Sequence, residues 1–474
     1  MSRKLILDEN RLFGADPALR KVARELYESV RGLPIISPHG HTDPVWFAEN
    51  RNFSNAAELL LVPDHYLHRM LYSQGISLDA LGVASKAGPS SADPREIWRL
   101  LAKNLYLFRG TPSSLWLNHV FGAVFGFDVQ LDESTADFYF DTIGEKLKSD
   151  AFKPRALFER FNIEVLSTTE GPNDPLTHHK AMRASGWKGR VVPTYRPDTV
   201  IDAEHENFRA SLAAFGDLTG EDVHSWRGSL AAHRKRRADF AAMGATATDH
   251  GHATPATADF GPGDAEKLFE RIVGNEYTAK DAELFRAQML TEMARMSIED
   301  GLVMQIHPGS YRNHNKFLMD KYGRDKGADI PVPTEYVKNL KPLLDRFGND
   351  TRLSIILFTL DETVYSRELA PLAGHYPVLK LGPAWWFHDS PEGMRRFREL
   401  TTETAGFYNT VGFNDDTRAF LSIPARHDVA RRIDAGFLAR LVAEHRLDMA
   451  DAREVIVDLA YRLPKRAYRL DAPS

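Results

Sequence analysis

Short β-branched apolar runs alternate along this chain with longer amphipathic stretches, the pattern that arises when parallel strands buried on both faces are joined by helices. Eight runs qualify: Leu33 to Ser37, Ile163 to Ser167, Val191 to Tyr195, Thr246 to Asp249, Leu302 to Ile306, Leu353 to Phe358, Val378 to Leu381 and Tyr408 to Phe413. Helix signals fall between them. Asp16-Pro17 opens a helix that Gly32 closes, Asp93-Pro94 opens another, and Ser134 is the expected cap of the segment that follows it. Eight strands with intervening helices predict an α/β chain folded as a (β/α)8 TIM-type barrel, a single domain over residues 1–474.

The spacing is uneven after the first strand. More than a hundred residues precede the second, with helical-looking stretches at Trp98 to Phe108, Ser114 to Phe125 and Thr135 to Leu147. A connection of that length must have a fold of its own. It is expected to be a mostly helical insertion over residues 42–160, placed at the barrel mouth and able to act as a lid. A smaller, irregular insertion is expected from Tyr311 to Pro333, after the fifth strand.

Composition narrows the chemistry. Hydrophobic residues make up 43% and charged residues 26%, as in an ordinary globular protein, and 60 Lys and Arg against 65 Asp and Glu leave a net charge of −5, which gives no reason to expect a nucleic-acid partner. With no cysteine, disulfides, thiolate nucleophiles, iron–sulfur clusters and Cys-ligated zinc are excluded, so His and carboxylates are the strong metal ligands that remain. The early apolar run Leu5 to Leu7 is broken by Asp8, and nowhere does the chain reach the ~18 to 20 apolar residues of a membrane-spanning helix. A cytoplasmic location with no membrane partner is expected, and homo-oligomerisation stays open.

A barrel builds its site just beyond the strand ends, and reactive residues collect there. Pro38-His39-Gly40-His41 follows strand 1, Arg196-Pro197-Asp198 strand 3, and His250-Gly251-His252 strand 4; His307, Arg312 and Asn313 follow strand 5, Trp385-Trp386 strand 7, and Asp415-Asp416-Thr417-Arg418 strand 8. Two imidazoles at i and i+2 on an extended segment face one side and can grip one cation. They can equally be hydrogen-bonded side chains of a polar loop, and with 18 histidines a second such pair, His250/His252, occurs in the same chain. Position favours His39 and His41: in a closed barrel strand 8 borders strand 1, so Asp416 becomes their neighbour. Two His and one carboxylate would hold a single Zn²⁺ or similar ion with sites left for substrate. The bland readings are a turn residue for Asp416, an ion pair with Asp198 for Arg196, packing for Trp385-Trp386, a solvated turn for Arg312, and one polar face of a short helix for His65, Tyr66 and His68.

The segments PHGHTDP, DHYLHR, VPTYRPD, HPGSYRNHN, GPAWWFHDSPEGM and GFNDDTRAFLSIPARH, in that order, resemble the signatures of the uronate isomerases (glucuronate isomerases) of the amidohydrolase superfamily. The resemblance covers most of the chain. It implies interconversion of D-glucuronate with D-fructuronate and of D-galacturonate with D-tagaturonate, by metal-assisted proton transfer through a cis-enediol. It makes His39, His41 and Asp416 the metal ligands, gives Arg196 and Arg418 to the substrate, and puts His65 and Tyr66 near the reacting carbons. The chain writes His307-Pro308-Gly309 and Arg312-Asn313-His314-Asn315 where the family often writes HIG and RNNN; His307 and Arg312 are read as substrate contacts. Arg196 suits the uronate carboxylate, Trp385 or Trp386 its C–H face, Asp416 the proton shuttle and Arg418 the developing enediolate. Two rivals stay open: a mononuclear metal-dependent hydrolase, which the lack of a bridging Lys after strand 4 does not exclude, and a non-catalytic sugar-acid binding protein.

Overall fold

In a computed structural model that describes residues 3–471, seven of the eight predicted runs form one parallel sheet. Its strands are β1 (Ile35–Ser37), β2 (Ile163–Glu170), β3 (Arg190–Tyr195), β4 (Ala247–His250) and β5 (Val303–Ile306), then β8 (Ile355–Leu357) and β9 (Leu379–Leu381), in that spatial order. Between β5 and β8, the segment expected to be irregular holds a two-stranded antiparallel ribbon, β6 (Ser310–Tyr311) with β7 (Ile330–Pro331), and the helix Lys316–Tyr322. The single-domain expectation of 1–474 includes residues 1–2 and 472–474, which lie outside the described residues.

The sheet curls into a TIM-type barrel whose interior takes one apolar side chain from nearly every wall segment. Ile36, Val165, Val192, Ala247, Val303, Ile356 and Val411 form that cluster, while Met304, Ile306, Ile355, Leu357, Leu379 and Leu381 pack outward against the helices. The alternation follows from the period of two along a strand. It also predicts that Asp249 and His307, each an even number of positions beyond an interior residue, face inward. The floor is closed by the C-terminal segment: Tyr468 and Leu470 join the interior cluster, and the Tyr468 hydroxyl donates to Gln305 Oε1 at 3.1 Å.

The eighth run, Tyr408 to Phe413, makes one parallel bridge instead of a strand. Thr410 pairs with Leu381, with Leu381 N donating to Asn409 O at 2.8 Å and Val411 N to Leu381 O at 3.0 Å. Gly412 then takes φ +78°, where a Cβ would meet Leu459 O at 2.5 Å, and turns the chain out of the ladder. The ring closes by other bonds. His41 N donates to Thr417 O at 3.0 Å, and Asp415 accepts from Ser37 Oγ at 2.9 Å and His427 Nε2 at 3.0 Å.

The stretch between β1 and β2 is helical, as its length and patterning predict. It includes Pro44–Glu49, His65–Tyr72, Pro94–Asn104, Pro112–His119 and Ala136–Leu147, around a core containing Trp98, Phe108, Phe121 and Tyr139. Asp16 caps Pro17–Val30 and Asp93 caps Pro94–Asn104 by accepting from the first free backbone amides. Ser134 does not cap the helix after it. Its hydroxyl and backbone N–H both bond Asp132 Oδ1, and Thr135 occupies the cap position with its hydroxyl turned away from the helix, accepting from Asp132 N and donating to Gln130 O, both at 2.9 Å.

Replacing Asp415, 1% exposed, by Ala leaves the Ser37 hydroxyl and the His427 imidazole without their partner. A loss of about 2–4 kcal/mol is expected. Thermal unfolding should show a clearly lowered midpoint, and an unchanged midpoint would remove Asp415 from the closure of the barrel.

Candidate active site at the barrel mouth

The loops after β1, β3, β4, β5, β9 and the eighth wall segment enclose a cavity of about 350 Å³, and every residue assigned to the site from the sequence lines it. His39 and His41 reach it from the segment after β1. Asp416 reaches it from the far side of the seam, with φ +28°, a conformation that L-residues rarely hold outside functional sites. His39 Nε2 lies 3.5 Å and His41 Nε2 3.1 Å from Asp416 Oδ1.

His307, read from the sequence as a substrate contact, stacks on His39 with ring centroids 4.7 Å apart. One ligand atom each from His39, His307 and Asp416 lie within 4.8 Å of one another. His307 Nδ1 is 2.6 Å from Asp249 Oδ1, so a proton on Nδ1 is donated to the carboxylate and the Nε2 lone pair is left facing the cavity. His307 Nε2 and Asp416 Oδ1 are both buried without a hydrogen-bond partner. Asp416 Oδ2 is not free, because it accepts the indole N–H of Trp385. Two imidazoles and a carboxylate with unpartnered donor atoms converging inward fit a divalent metal ion.

The charges around this centre are fixed by pairing. Burial acts to raise the Asp416 pKa, but the imidazoles of His39 and His41 overcome it and hold the carboxyl well below its usual range. Burial likewise opposes ionisation of Asp249, and Arg196 and His307 overcome it. Arg196 gives Nε to Asp198 Oδ2 at 2.8 Å and places Nη1 3.3 Å from Asp249 Oδ2. Its fork is thus partly engaged by protein carboxylates. A Cβ at Gly251 would overlap Arg196 Nη2 at 1.9 Å, so only glycine lets the guanidinium lie across that turn.

The helical insertion after β1 brings in His65 and Tyr66, the first residues of the helix His65–Tyr72. Asp64 caps this helix by accepting from Tyr66 N at 2.8 Å and Leu67 N at 3.2 Å. The Tyr66 hydroxyl donates to Trp386 O at 3.4 Å, and the His65 ring meets Trp386 edge-on at 5.9 Å. Burial pushes the His65 pKa down to about 3, with Arg418 adding to the effect, so its imidazole is neutral. Burial also raises the Tyr66 phenol and keeps it protonated. Arg312 lies over the Trp386 ring at 5.2 Å and pairs with Asp329 Oδ2 at 3.1 Å. Arg418 is the loosest of the three cations, with Asp325 Oδ2 at 3.5 Å. Trp385, packed on His307 and bonded to Asp416, is a support; Trp386 is the more open ring.

Asp249, Asp325 and Asp329 line the cavity without any role assigned to them from the sequence, and Asp198 is there as the ion-pair partner of Arg196. Asp249 was within reach of sequence reasoning, since it shares strand parity with the interior Ala247. Asp325 and Asp329 sit in the insertion after β5, with no strand end to mark them.

Residues 13–468 match the family model described as glucuronate isomerase. The chain is 74% identical over 474 residues to a uronate isomerase of Phenylobacterium zucineum, covering 100% of this chain and 99% of that protein. It is 67% identical over 471 residues to one of Caulobacter vibrioides, covering 99% and 97%. Among solved structures, glucuronate isomerase from Caulobacter crescentus superposes with a TM-score of 0.99 at 67% identity, covering 100% of this chain and 98% of that one. Uronate isomerase from Thermotoga maritima superposes with a TM-score of 0.91 at 27% identity, covering 98% and 99%.

Asp249→Asn keeps the size of the side chain and removes the charge that orients His307 and pairs Arg196. Affinity for Zn²⁺, measured by competition with a chromogenic chelator, is expected to fall ~10- to 100-fold with the fold intact by circular dichroism. Unchanged affinity would show that His307 needs no carboxylate behind it.

Proposed function

The chain belongs to the glucuronate isomerase family, and from that premise we propose the residues by which it interconverts D-glucuronate with D-fructuronate and D-galacturonate with D-tagaturonate. The observation that carries the assignment is the meeting of His39, His307 and Asp416 within 4.8 Å of one another in a cavity that Arg418, His65 and Tyr66 also line.

His39, His307 and Asp416, with His41 beside Asp416, are the residues that would hold the ion, and the nitrogen-rich set with one carboxylate favours Zn²⁺. When bound, a divalent ion there supplies Lewis-acid polarisation of the substrate oxygens nearest the reacting carbons. The protein's own groups do the rest. Arg196 and Arg312 receive the uronate carboxylate. Because Nε and Nη1 of Arg196 already face Asp198 and Asp249, Arg196 offers one edge instead of a full fork, and Arg312 gives the second contact. Trp386 covers the C–H face of the open-chain sugar.

Aldose–ketose isomerisation moves one proton from C2 to C1 and one between the two oxygens. Asp416 is an anion at working pH and is the shuttle: it accepts the C2 proton, the C2–H electron pair forms the enediol double bond, and the same carboxyl returns the proton to C1. The Trp385 indole N–H fixes the orientation of this carboxylate. Neutral His65 and protonated Tyr66 pass the hydroxyl proton between the substrate oxygens, and Arg418 stabilises the enediolate. The insertion at 42–160, which carries His65 and Tyr66, acts as the lid that keeps water from the intermediate.

Asp416→Asn is expected to lower kcat by ~10²- to 10⁴-fold, the range typical of a lost proton-transfer group. If the variant retains its metal and keeps near-normal turnover, the shuttle lies elsewhere. Arg418→Met is expected to lower kcat ~10²- to 10³-fold, whereas a raised KM with unchanged kcat would make Arg418 a binding residue only.

A further inference from the structure

The wall behind Arg196 carries a second cluster that the isomerisation does not use. Along β4, Ala247 belongs to the barrel interior and Asp249 shares its face, so Thr248 and His250 face the opposite way; Thr248 Oγ1 lies 3.1 Å from His250 Nε2. Gly251 turns the chain and brings His252 alongside, with the two imidazole centroids 6.0 Å apart. Asp198 approaches from the loop after β3 and places Oδ1 3.8 Å from His252 Nε2. One ligand atom from each of Asp198, His250 and His252 lies within 4.8 Å of the others.

Both rings are deeply buried, His250 at 0% and His252 at 5% exposure. His250 Nδ1 and both nitrogens of His252 are nevertheless without any hydrogen-bond partner among the described residues. Asp198 directs Oδ2 to Arg196 Nε at 2.8 Å and to Gly251 N at 3.0 Å; Oδ1, with only a 3.3 Å contact from Gly251 N, is the oxygen that faces the rings. The charges that act on the pair are the carboxylates of Asp198, Asp202 and Asp249 and the guanidiniums of Arg196, Arg237 and Arg286, so the site rests on its unpartnered donor atoms and not on an excess of negative charge. Buried polar groups of this kind are normally satisfied, by protein, water or a cation. Two imidazoles and one carboxylate are the donor types that transition-type divalent ions prefer.

We propose that Asp198, His250 and His252 bind a second divalent cation of the Zn²⁺ class, separate from the centre at His39, His307 and Asp416. Its place in the fold gives it a role. By tying the loop after β3 to the loop after β4, it fixes Asp198, and through the Asp198 to Arg196 bond it sets the guanidinium that meets the substrate. Asp198, His250 and His252 are positioning residues in this account.

The test reconstitutes metal-free, full-length protein with ZnCl₂, counts zinc per chain after dialysis, and locates it by anomalous diffraction at the zinc edge. Two equivalents are expected, with separate peaks at the two clusters. His252→Asn, and independently His250→Gln, should lose one equivalent and the second peak only, and should raise KM for D-glucuronate more than they lower kcat. One equivalent in the unvaried protein, with a water among Asp198, His250 and His252, would overturn the proposal, as would full retention of the second peak in both variants. Loss of the catalytic-centre reading would appear separately, as a missing peak at His39 and Asp416.

Discussion

The hydrogen bond that Asp415 accepts from Ser37 at 2.9 Å joins the last wall segment of the barrel to the first across 378 positions of sequence, and His427, on the helix that follows, holds the other carboxylate oxygen at 3.0 Å. Ladder bonds do not do this, because the eighth segment leaves the sheet after a single bridge. The next residue, Asp416, can then project at φ +28° into the mouth, within 3.5 Å of both His39 and His41. Two adjacent aspartates thus divide the work: one holds the wall closed and the other faces the cavity. Were the seam to open, the imidazoles after β1 would lose their carboxylate, and the carboxylate its imidazoles.

Behind this seam carboxylates alternate with imidazoles and a guanidinium. Asp416 faces His39 and His41; His307, stacked on His39, is tied to Asp249; Asp249 faces Arg196, and Arg196 is bonded to Asp198. Removing one partner from such a buried network leaves an uncompensated charge, which is far more costly than losing a surface pair. The arrangement therefore fixes side-chain geometry before substrate arrives, which is what electrostatic stabilisation of a developing enediolate requires. Arg418, the loosest of the three cations, is also the most exposed of them.

Much of this was legible in the amino-acid sequence because short β-branched apolar runs and Asp-Pro caps are local signals. Seven runs form strands, and the residues assigned to the site share one cavity because a closed parallel barrel gathers its strand ends at one mouth, whereas His250 and His252 lie outside it in a cluster with Asp198. What escaped depends on partners remote in sequence. The run Tyr408 to Phe413 reads as a strand, yet packing of Gly412 against Leu459 and Pro464 turns it away. Ser134 reads as a cap, yet Asp132 claims it. Tyr468 and Leu470, in the tail, fill the barrel floor, and the role of Asp249 shows only when its strand parity is set beside His307.

The account stands or falls on proton transfer at this mouth, and proton NMR in D₂O with D-glucuronate and with D-galacturonate measures it directly. It predicts growing ketouronate signals with solvent deuterium entering the carbon-bound positions at C1 and C2. Full conversion with no deuterium in either sugar would show that the hydrogen migrates without reaching an exchangeable group, and would contradict a carboxylate shuttle at Asp416.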